Sequence, residues 1–391
     1  MKITKVEIKK LNISDVWTPV ICRIYTDEGI YGDGEAALAF GIGATGVYGI
    51  LQDYAKQIIG MDPMCNELIW DKLYRYTFWG QAGGAVIWGA ISAIDIALWD
   101  IKGKKLQVPL HVLLGGKRRD SVRCYASQLQ MGWEPVFHAL ATTQEYVDAA
   151  KKVVAEGYDA LKVNFFVYDW DGRRFAKEEM KGVLSACYMD LLEERIAAVR
   201  EAVGAGIDII MENHANMDAV SAVQVATMAE KYGIFFFEEP ATPNAAMNKV
   251  ISEKIHIPIA QGERIFTRWQ FAPYFENRSV QIIQPDIGNC GGLTEAKKIC
   301  DMANVYDVSV QAHVCASPLS TAVALHLESV IPNFIIHEHH RNCLYPHNQK
   351  LCTMDYQPVN GRMMIPDGVG IGCEFTEETM HMENSQTTVV Q

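Results

Sequence analysis

Ionisable residues recur about every 25 positions through the second half of the chain, each directly after a short apolar run. These residues are Glu212, Glu238, Glu263, Asp286, His313 and Glu338. A strand, a turn and a crossover helix together need about that many residues, so the spacing predicts successive βα units. Carboxylates at three successive strand ends, with an imidazole further along the series, suggest a hard divalent cation beside a proton-transfer base.

The elements that carry these residues predict an α/β fold with a TIM-like (β/α)₈ barrel. Apolar runs at 122–126 and 161–164 bring the number of predicted strands to eight. In such a barrel the carboxyl ends of all strands converge on one catalytic face. Strand-like alternation over residues 1–33 and helical periodicity over 43–114 predict an additional α+β domain ahead of the barrel.

The predicted domain organisation therefore has three parts. We expect an N-terminal capping domain at 1–120, a barrel at 121–345 and a C-terminal segment at 346–391 that packs back on the cap. The residues from about Met380 onward are polar, and we expect them to fray.

Composition narrows the class of protein. The 391-residue chain has a net charge of -12, which argues against nucleic acid or an anionic membrane as partner. Its ten cysteines lack CxxC spacing, which favours free thiols in a reducing compartment over disulfides or a zinc site. No signal-like segment or membrane-length apolar run is seen, so we expect a cytoplasmic enzyme.

Three carboxylates, those of Glu212, Glu238 and Glu263, are predicted to share one cation. They follow neighbouring strands, and Glu238 ends the run of three phenylalanines at 235–237. A carboxylate buried after an apolar strand needs a counter-charge, which a metal ion supplies. A surface charge or an ion pair is the alternative for each of them taken alone.

Strand alternation and neighbouring strands add further candidates. His214 shares a face with Glu212, because residues i and i+2 of a strand point to the same side. Asp286 and His313 follow adjacent strands, and a carboxylate beside an imidazole fixes its tautomer and raises its basicity. The alternatives are a structural His214, a solvated Asp286 and a core His313. The other histidines of the second half that have no such placement are interpreted as structural: His326, His337, His339, His340 and His347.

Several motifs together resemble the enolase superfamily, in its mandelate racemase-like branch, and most closely acid-sugar dehydratases of the galactonate dehydratase kind. The resemblance covers nearly the whole chain. Its carriers are ALWDIKG at 97–103, LGG at 114–116, KVN at 162–164, FEEP at 237–240, GER at 262–264, QPD at 284–286, GG at 291–292 and His313.

The resemblance implies one Mg²⁺ per subunit, held by Glu212, Glu238 and Glu263. It implies a reaction in which a proton α to a carboxylate is removed and water is eliminated, which gives a 2-keto-3-deoxy acid. The implied roles are as follows: Asp286 and His313 as base, His214 as acid, Glu338 at the substrate carboxylate, and Lys162 stabilising the ene-diolate. Substrate contacts are expected from Asn164, Glu338, Trp17 and Arg75, the last two in cap loops near 17–19 and 74–84.

Two positions depart from the pattern of this branch. Glu212 stands where Asp is usual, so either the strand end is retracted or the metal geometry differs. Asn164 stands where the racemases carry a second Lys, and it cannot take a proton, so a two-base racemase is disfavoured.

Other outcomes of the same fold stay open. An epimerase, racemase or cycloisomerase of a sugar acid would share the enolate intermediate, and a non-catalytic sugar-acid-binding regulator would retain the barrel alone. The family resemblance also implies a homo-oligomer of between two and eight subunits.

Overall fold

An antiparallel sheet backed by three helices forms the N-terminal part of the chain. The structure, a computed structural model, describes residues 1–81 and 83–391. The elements of this part are β1 (Ile3–Leu11), β2 (Val20–Thr26), β3 (Tyr31–Ala36), α1 (Ala44–Ile58), α2 (Asn66–Arg75) and α3 (Ala85–Leu106). The sheet order is β13–β1–β2–β3, so the C-terminal strand β13 (Ser385–Val390) completes it.

Helix α3 is buried along most of its length, because it packs against β3 on one side and a barrel helix on another. Close approach to β3 depends on glycine. A Cβ built on Gly34 would lie 1.9 Å from the carbonyl oxygen of Ala93, so any side chain there would push the helix off the sheet.

Eight parallel strands form the second sheet, which curls into the predicted TIM-like barrel. The short helix α4 (Leu110–Leu113) leads into it. The strands are β4 (Ser121–Ser127), β5 (Ala160–Val163), β6 (Asp208–Glu212), β7 (Ile234–Glu238), β8 (Ile259–Gln261), β9 (Ile282–Ile283), β10 (Ser309–Val310) and β11 (His337–His340). Strand β11 pairs with β4, and just before β11 a parallel bridge joins Phe334 to Val310 of β10, which closes the ring.

Helices connect the strands and cover the outside of the barrel. They are α5 (Thr143–Ala155), α6 (Ala186–Val203), α7 (Ala219–Ala229), α8 (Ala245–Ser252), α9 (Thr267–Glu276), α10 (Gly292–Val305) and α11 (Pro318–Val330). N-cap residues in the sequence determine where several of these helices begin. Thr142 and Glu145 form a capping box at α5, and Asp218 caps α7. None of the helices in the described part of the chain could span a membrane.

The C-terminal segment returns to the cap, as predicted. It contains α12 (Pro346–Gln349), β12 (Arg362–Met364), which pairs with β4, α13 (Glu377–Met380) and β13. The expectation that residues after Met380 fray is wrong. Ser385 to Val390 pair with β1 in an unbroken antiparallel register from Leu11 to Val6, so backbone hydrogen bonds hold this polar stretch.

Direct contacts fix the cap over the carboxyl ends of the strands. Ala37 donates its backbone N–H to the oxygen of Gly288, two residues beyond Asp286, at 2.9 Å. Asp95 of α3 accepts hydrogen bonds from the backbone and hydroxyl of Thr294, at 2.8 and 2.6 Å. The predicted catalytic end of the barrel therefore lies beneath the cap.

Candidate active site

Two carboxylates end adjacent strands at the same level. Glu212 is the last residue of β6 and is in register with Glu238, the last residue of β7. Both are 1% exposed. Glu263 follows β8 by two residues and is more accessible. Because Glu212 and Glu238 are level, the end of β6 is not retracted relative to β7, although Glu212 is one methylene longer than the usual Asp.

Lys162 lies at the centre of three buried carboxylates. Its Nζ is 3.4 Å from Glu212 Oε1, 2.6 Å from Glu238 Oε1 and 2.9 Å from Glu338 Oε1. Burial alone would lower the pKa of this ammonium, but the surrounding carboxylates raise it well above its usual range. Lys162 is therefore a fixed positive charge on the inner wall of the barrel.

One lysine cannot neutralise three buried acids equally. Burial raises the pKa of Glu238 to about 8, against the pull of Lys162. Burial acts in the same direction on Glu338, but Lys162, His313 and His340, with a hydrogen bond from Ser127, lower its pKa to about 2. Ser127 Oγ donates to Glu338 Oε1 at 2.6 Å. The surrounding charges thus favour the ionised form of Glu338, whereas burial favours the protonated form of Glu238.

A possible site for a divalent cation lies beside this lysine. One ligand atom each from Glu212, His214 and Glu263 lie within 4.8 Å of one another. Glu212 Oε1 is buried and lies 2.9 Å from His214 Nε2, so a carboxylate oxygen, the type of ligand that a hard cation prefers, is present at this site. The predicted third ligand, Glu238, instead contacts Lys162 and accepts a hydrogen bond from Gln284 at 2.5 Å.

His313 and Asp286 form the predicted pair. His313 Nδ1 is 2.7 Å from Asp286 Oδ2, and its Nε2 is 3.3 Å from Glu263 Oε2. Burial would lower the pKa of this imidazole, but the charge of Glu263 and the hydrogen bond to Asp286 raise it to about 10. Asp286 orients the ring so that Nε2 faces the possible cation site.

His214 approaches the same site from β6. Its Nε2 is 2.9 Å from Glu212 Oε1, and its Nδ1 is 3.1 Å from Asn164 Nδ2. Asn164 Oδ1 accepts a hydrogen bond from the N–H of Phe166, so its Nδ2 faces the ring as a donor. A neutral His214 must then carry its proton on Nε2. The residue has φ 50, a left-handed conformation that a non-glycine residue rarely adopts outside constrained sites.

Sequence reasoning missed the residues that hold the carboxylates. Gln128 Nε2 donates to Glu212 Oε2 at 2.6 Å, and Gln130 donates to Gln128 at 2.5 Å. Arg264 contacts Glu263 at 2.7 Å and also contacts the buried Glu239. All of these residues follow barrel strands within a few positions, which is the signal that could have identified them.

The two cap residues predicted to contact substrate have other surroundings. Trp17 is buried next to Phe40, to which it is joined by a backbone bridge. Arg75 is exposed on α2 and forms an ion pair with Asp71 at 2.6 Å. The structure does not bring Arg75 together with the barrel residues. Within the predicted loop 74–84, Ala82 lies outside the described residues.

Two family models match the chain. One is described as the mandelate racemase / muconate lactonizing enzyme N-terminal domain, at residues 13–115. The other is described as enolase C-terminal domain-like, at residues 145–379. The first match covers β2, β3 and the helices of the cap, and the second covers most of the barrel.

Individual relatives are similar over nearly the full length. The D-galactonate dehydratase of Pectobacterium atrosepticum is 33% identical over 97% of this chain and 93% of its own. A crystal structure of an enolase superfamily member from Salmonella Typhimurium is 50% identical, with a TM-score of 0.97 and 100% coverage of both chains. The 3,6-anhydro-D-galactonate cycloisomerase of Zobellia galactanivorans is 27% identical, with a TM-score of 0.81 and coverage of 97% and 98%.

Proposed function

Because this chain belongs to the enolase superfamily, in its mandelate racemase subgroup, we propose that it is a Mg²⁺-dependent acid-sugar dehydratase. In this carbon–oxygen lyase, or hydro-lyase, a base takes the proton α to the substrate carboxylate. The β C–O bond then breaks, the hydroxyl leaves as water after protonation, and the enol tautomerises to a 2-keto-3-deoxy acid. D-Galactonate, named for the relatives, is the first substrate to test.

The observation that carries this proposal is the His313–Asp286 pair. Asp286 holds the Nδ1 side of the ring at 2.7 Å, so Nε2 is the nitrogen that meets the substrate. We assign the α-proton to this atom. General base assistance contributes about 10²–10⁴-fold.

His214 is the acid in the proposal. Asn164 donates toward its Nδ1, which leaves the proton on Nε2, at the site shared with Glu212. Strands β6 and β10, which precede His214 and His313, lie four positions apart in the eight-strand ring, on opposite walls. Proton removal and hydroxyl protonation can therefore take place from opposite sides of a bound acid sugar.

The remaining charged residues bind the carboxylate end of the substrate. Lys162 provides a fixed ammonium and Glu338 shares a hydrogen bond with a carboxylate oxygen. We propose one Mg²⁺ per subunit, with Glu212, Glu238 and Glu263 as ligands. When bound, the cation supplies electrostatic stabilisation of the charge that develops on the substrate carboxylate. The further substrate contacts proposed from the sequence, Asn164, Trp17 and Arg75, stay predictions.

A library of acid sugars in D₂O with Mg²⁺ tests the proposal. We expect formation of a 2-keto-3-deoxy acid from at least one member and exchange of its α-proton with solvent. His313→Asn should abolish both while Mg²⁺ binding survives, and His214→Asn should slow elimination with α-exchange retained. Persistent exchange in the His313 variant would contradict the base assignment. Loss of Mg²⁺ on changing His214 would make it a ligand.

Two alternatives use the same site. The similarity to a cycloisomerase favours, as second candidate, an isomerisation through the same enolate, and mass spectrometry separates the two because only dehydration removes water. Binding of acid sugars without α-exchange would instead indicate a regulatory binding protein. We also propose a cytoplasmic homo-oligomer with divisions at 1–120, 121–345 and 346–391, which light scattering and limited proteolysis can test.

A further inference from the structure

The barrel mouth holds a third imidazole, that of His340, which the proposed reaction does not use. His340 is the last residue of β11 and lies two positions beyond Glu338, so both side chains point to the same face of the strand. Glu338 is 1% exposed, whereas His340 is only partly buried. His340 therefore lies about 7 Å further out along the strand than the carboxylate-binding residue.

We propose that His340 is a specificity-determining residue whose Nε2–H donates a hydrogen bond to a hydroxyl oxygen on the carbon chain of the acid sugar. This inference rests on the proposed function and names the part of the substrate that the site reads. Because Glu338 is proposed to bind the substrate carboxylate, His340, which lies further out along the strand, would face carbons of the substrate chain beyond that carboxylate.

The hydrogen-bonding pattern fixes the tautomer of His340. The backbone N–H of Asn342 donates to Nδ1 at 3.0 Å, where His340 caps the 3₁₀ turn Arg341–Leu344. A ring nitrogen that accepts a hydrogen bond carries no proton, so the neutral ring is protonated on Nε2. Burial lowers the pKa of His340 to about 4, which keeps the ring neutral at physiological pH.

The neighbour of Nε2 within the protein is a poor acceptor. Cys315 Sγ lies 3.5 Å from Nε2 and 3.6 Å from Nδ1, and a thiol sulfur accepts hydrogen bonds only weakly. Cys315 itself follows the proposed base His313 by two residues, so this pair borders the reacting end of the substrate. The N–H of this partly buried ring has only a weak acceptor within the protein, so it is suited to a hydroxyl oxygen of a ligand.

The other histidines of this strand differ. His337 and His339 are almost fully buried, and each Nδ1 has a strong oxygen partner at 2.6 Å, Glu328 and the Tyr158 hydroxyl respectively. Neither ring reaches the mouth. The interpretation of all of these histidines as structural therefore suits His337 and His339, and we replace it for His340.

The test uses a variant that keeps the cap and deletes the donor. In His340→Asn the side-chain oxygen can accept the Asn342 N–H, but no N–H reaches the former Nε2 position. In His340→Gln the longer side chain can again place an N–H donor near the former Nε2 position. His256→Gln makes the same change at an exposed histidine between α8 and β8, at the far end of the barrel, and serves as the matched control.

The probes are hexonic acids that differ at one hydroxyl carbon, together with the corresponding deoxy acids. For the preferred acid we expect His340→Asn to lower kcat/KM about tenfold, mainly through KM, since one neutral hydrogen bond is lost. The acid that lacks the contacted hydroxyl should lose less than about twofold. His340→Gln should recover most of the loss, and His256→Gln should match the wild type.

An equal loss for all acids, or unchanged discrimination between them, overturns the inference. Calorimetric measurement of the binding of the same acids, in the presence of Mg²⁺, distinguishes a failure of this inference from a failure of the proposed function. If an acid binds with His340-dependent discrimination but is not turned over, the dehydratase proposal fails and the inference stands. If dehydration occurs and the variants leave discrimination unchanged, only the inference fails. If no acid binds, both are refuted.

Discussion

The buried ammonium of Lys162 should be essential to the stability of the protein in the absence of a divalent cation. Replacing it by Met keeps the length of the side chain and removes the positive charge from a cluster in which Nζ is 2.6 Å from Glu238 and 2.9 Å from Glu338. Removing one partner of a buried ion pair costs about 3–5 kcal/mol, because the remaining charge is left uncompensated. We expect Lys162→Met to lower the free energy of unfolding by that amount.

The matched control is Lys56→Met. Lys56 forms an ion pair with Asp53 at 3.0 Å, but both side chains are more than half exposed. The same substitution there should cost less than about 1 kcal/mol.

Urea denaturation of both variants and the wild type, in EDTA and in millimolar Mg²⁺, measures these differences. We expect Mg²⁺ to stabilise Lys162→Met more than the wild type, because a cation among the carboxylates replaces part of the lost charge. If the two Lys→Met variants were equally stable in EDTA, the idea that Lys162 neutralises this cluster would be wrong.

Three further predictions concern the cation, acid stability and the cap. Glu263→Gln should weaken Mg²⁺ binding at least about tenfold by calorimetry, because a neutral amide replaces an accessible carboxylate; unchanged affinity would exclude Glu263 as a ligand. Burial lowers the pKa of His326 to about 4, below the value near 6.5 in the unfolded chain. As the pH drops, the unfolded state therefore binds the proton before the folded state does. The free energy of unfolding should fall by about 3 kcal/mol between pH 6.5 and pH 4. Urea titrations should show a smaller dependence of this free energy on pH in His326→Asn. Thr294→Val deletes the hydroxyl that donates to Asp95 at 2.6 Å and keeps the backbone donor, and should lower the free energy of unfolding by about 2 kcal/mol in the same assay; no change would mean that other contacts hold the cap on the barrel.

The order of the barrel strands along the chain was predictable because each strand has a local sequence pattern. Each catalytic candidate follows an apolar run, and parallel strands bring all their carboxyl ends to one face. Asp286 and His313 are adjacent in space for this reason alone, since β9 and β10 are neighbours in the sheet.

The partners of individual side chains were less predictable. Glu238 follows the same rule as Glu212, yet its nearest charged partner is Lys162, and it is not among the three residues grouped at the possible cation site. The partner of Glu238 depends on the balance of charges among side chains of three strands, β5, β6 and β7. It therefore cannot be predicted from any single segment of the sequence. Gln128 and Gln284 were missed for the same reason, because their roles exist only through the carboxylates to which they donate.

His340 and the C-terminal tail differ in how much the sequence could reveal about them. The rule that placed His214 beside Glu212 applies equally to His340 and Glu338, so His340 could have been identified from its spacing. The tail could not, because its pairing partner β1 lies at the other end of the chain. This mostly polar six-residue strand has no clear apolar periodicity, and it is ordered by backbone pairing with β1 and by side-chain hydrogen bonds that join Thr387 to Lys9 and Thr388 to Tyr48.

The pairing of β13 with β1 has a consequence for how the protein is made. The ribosome synthesises β1 first and β13 last, so the outer edge of β1 stays unpaired throughout translation of everything between them. An unpaired strand edge can pair with strands of other chains, so the nascent chain is vulnerable to aggregation at β1 until β13 emerges. Emergence of β13, rather than completion of the barrel, is then the event that covers this edge.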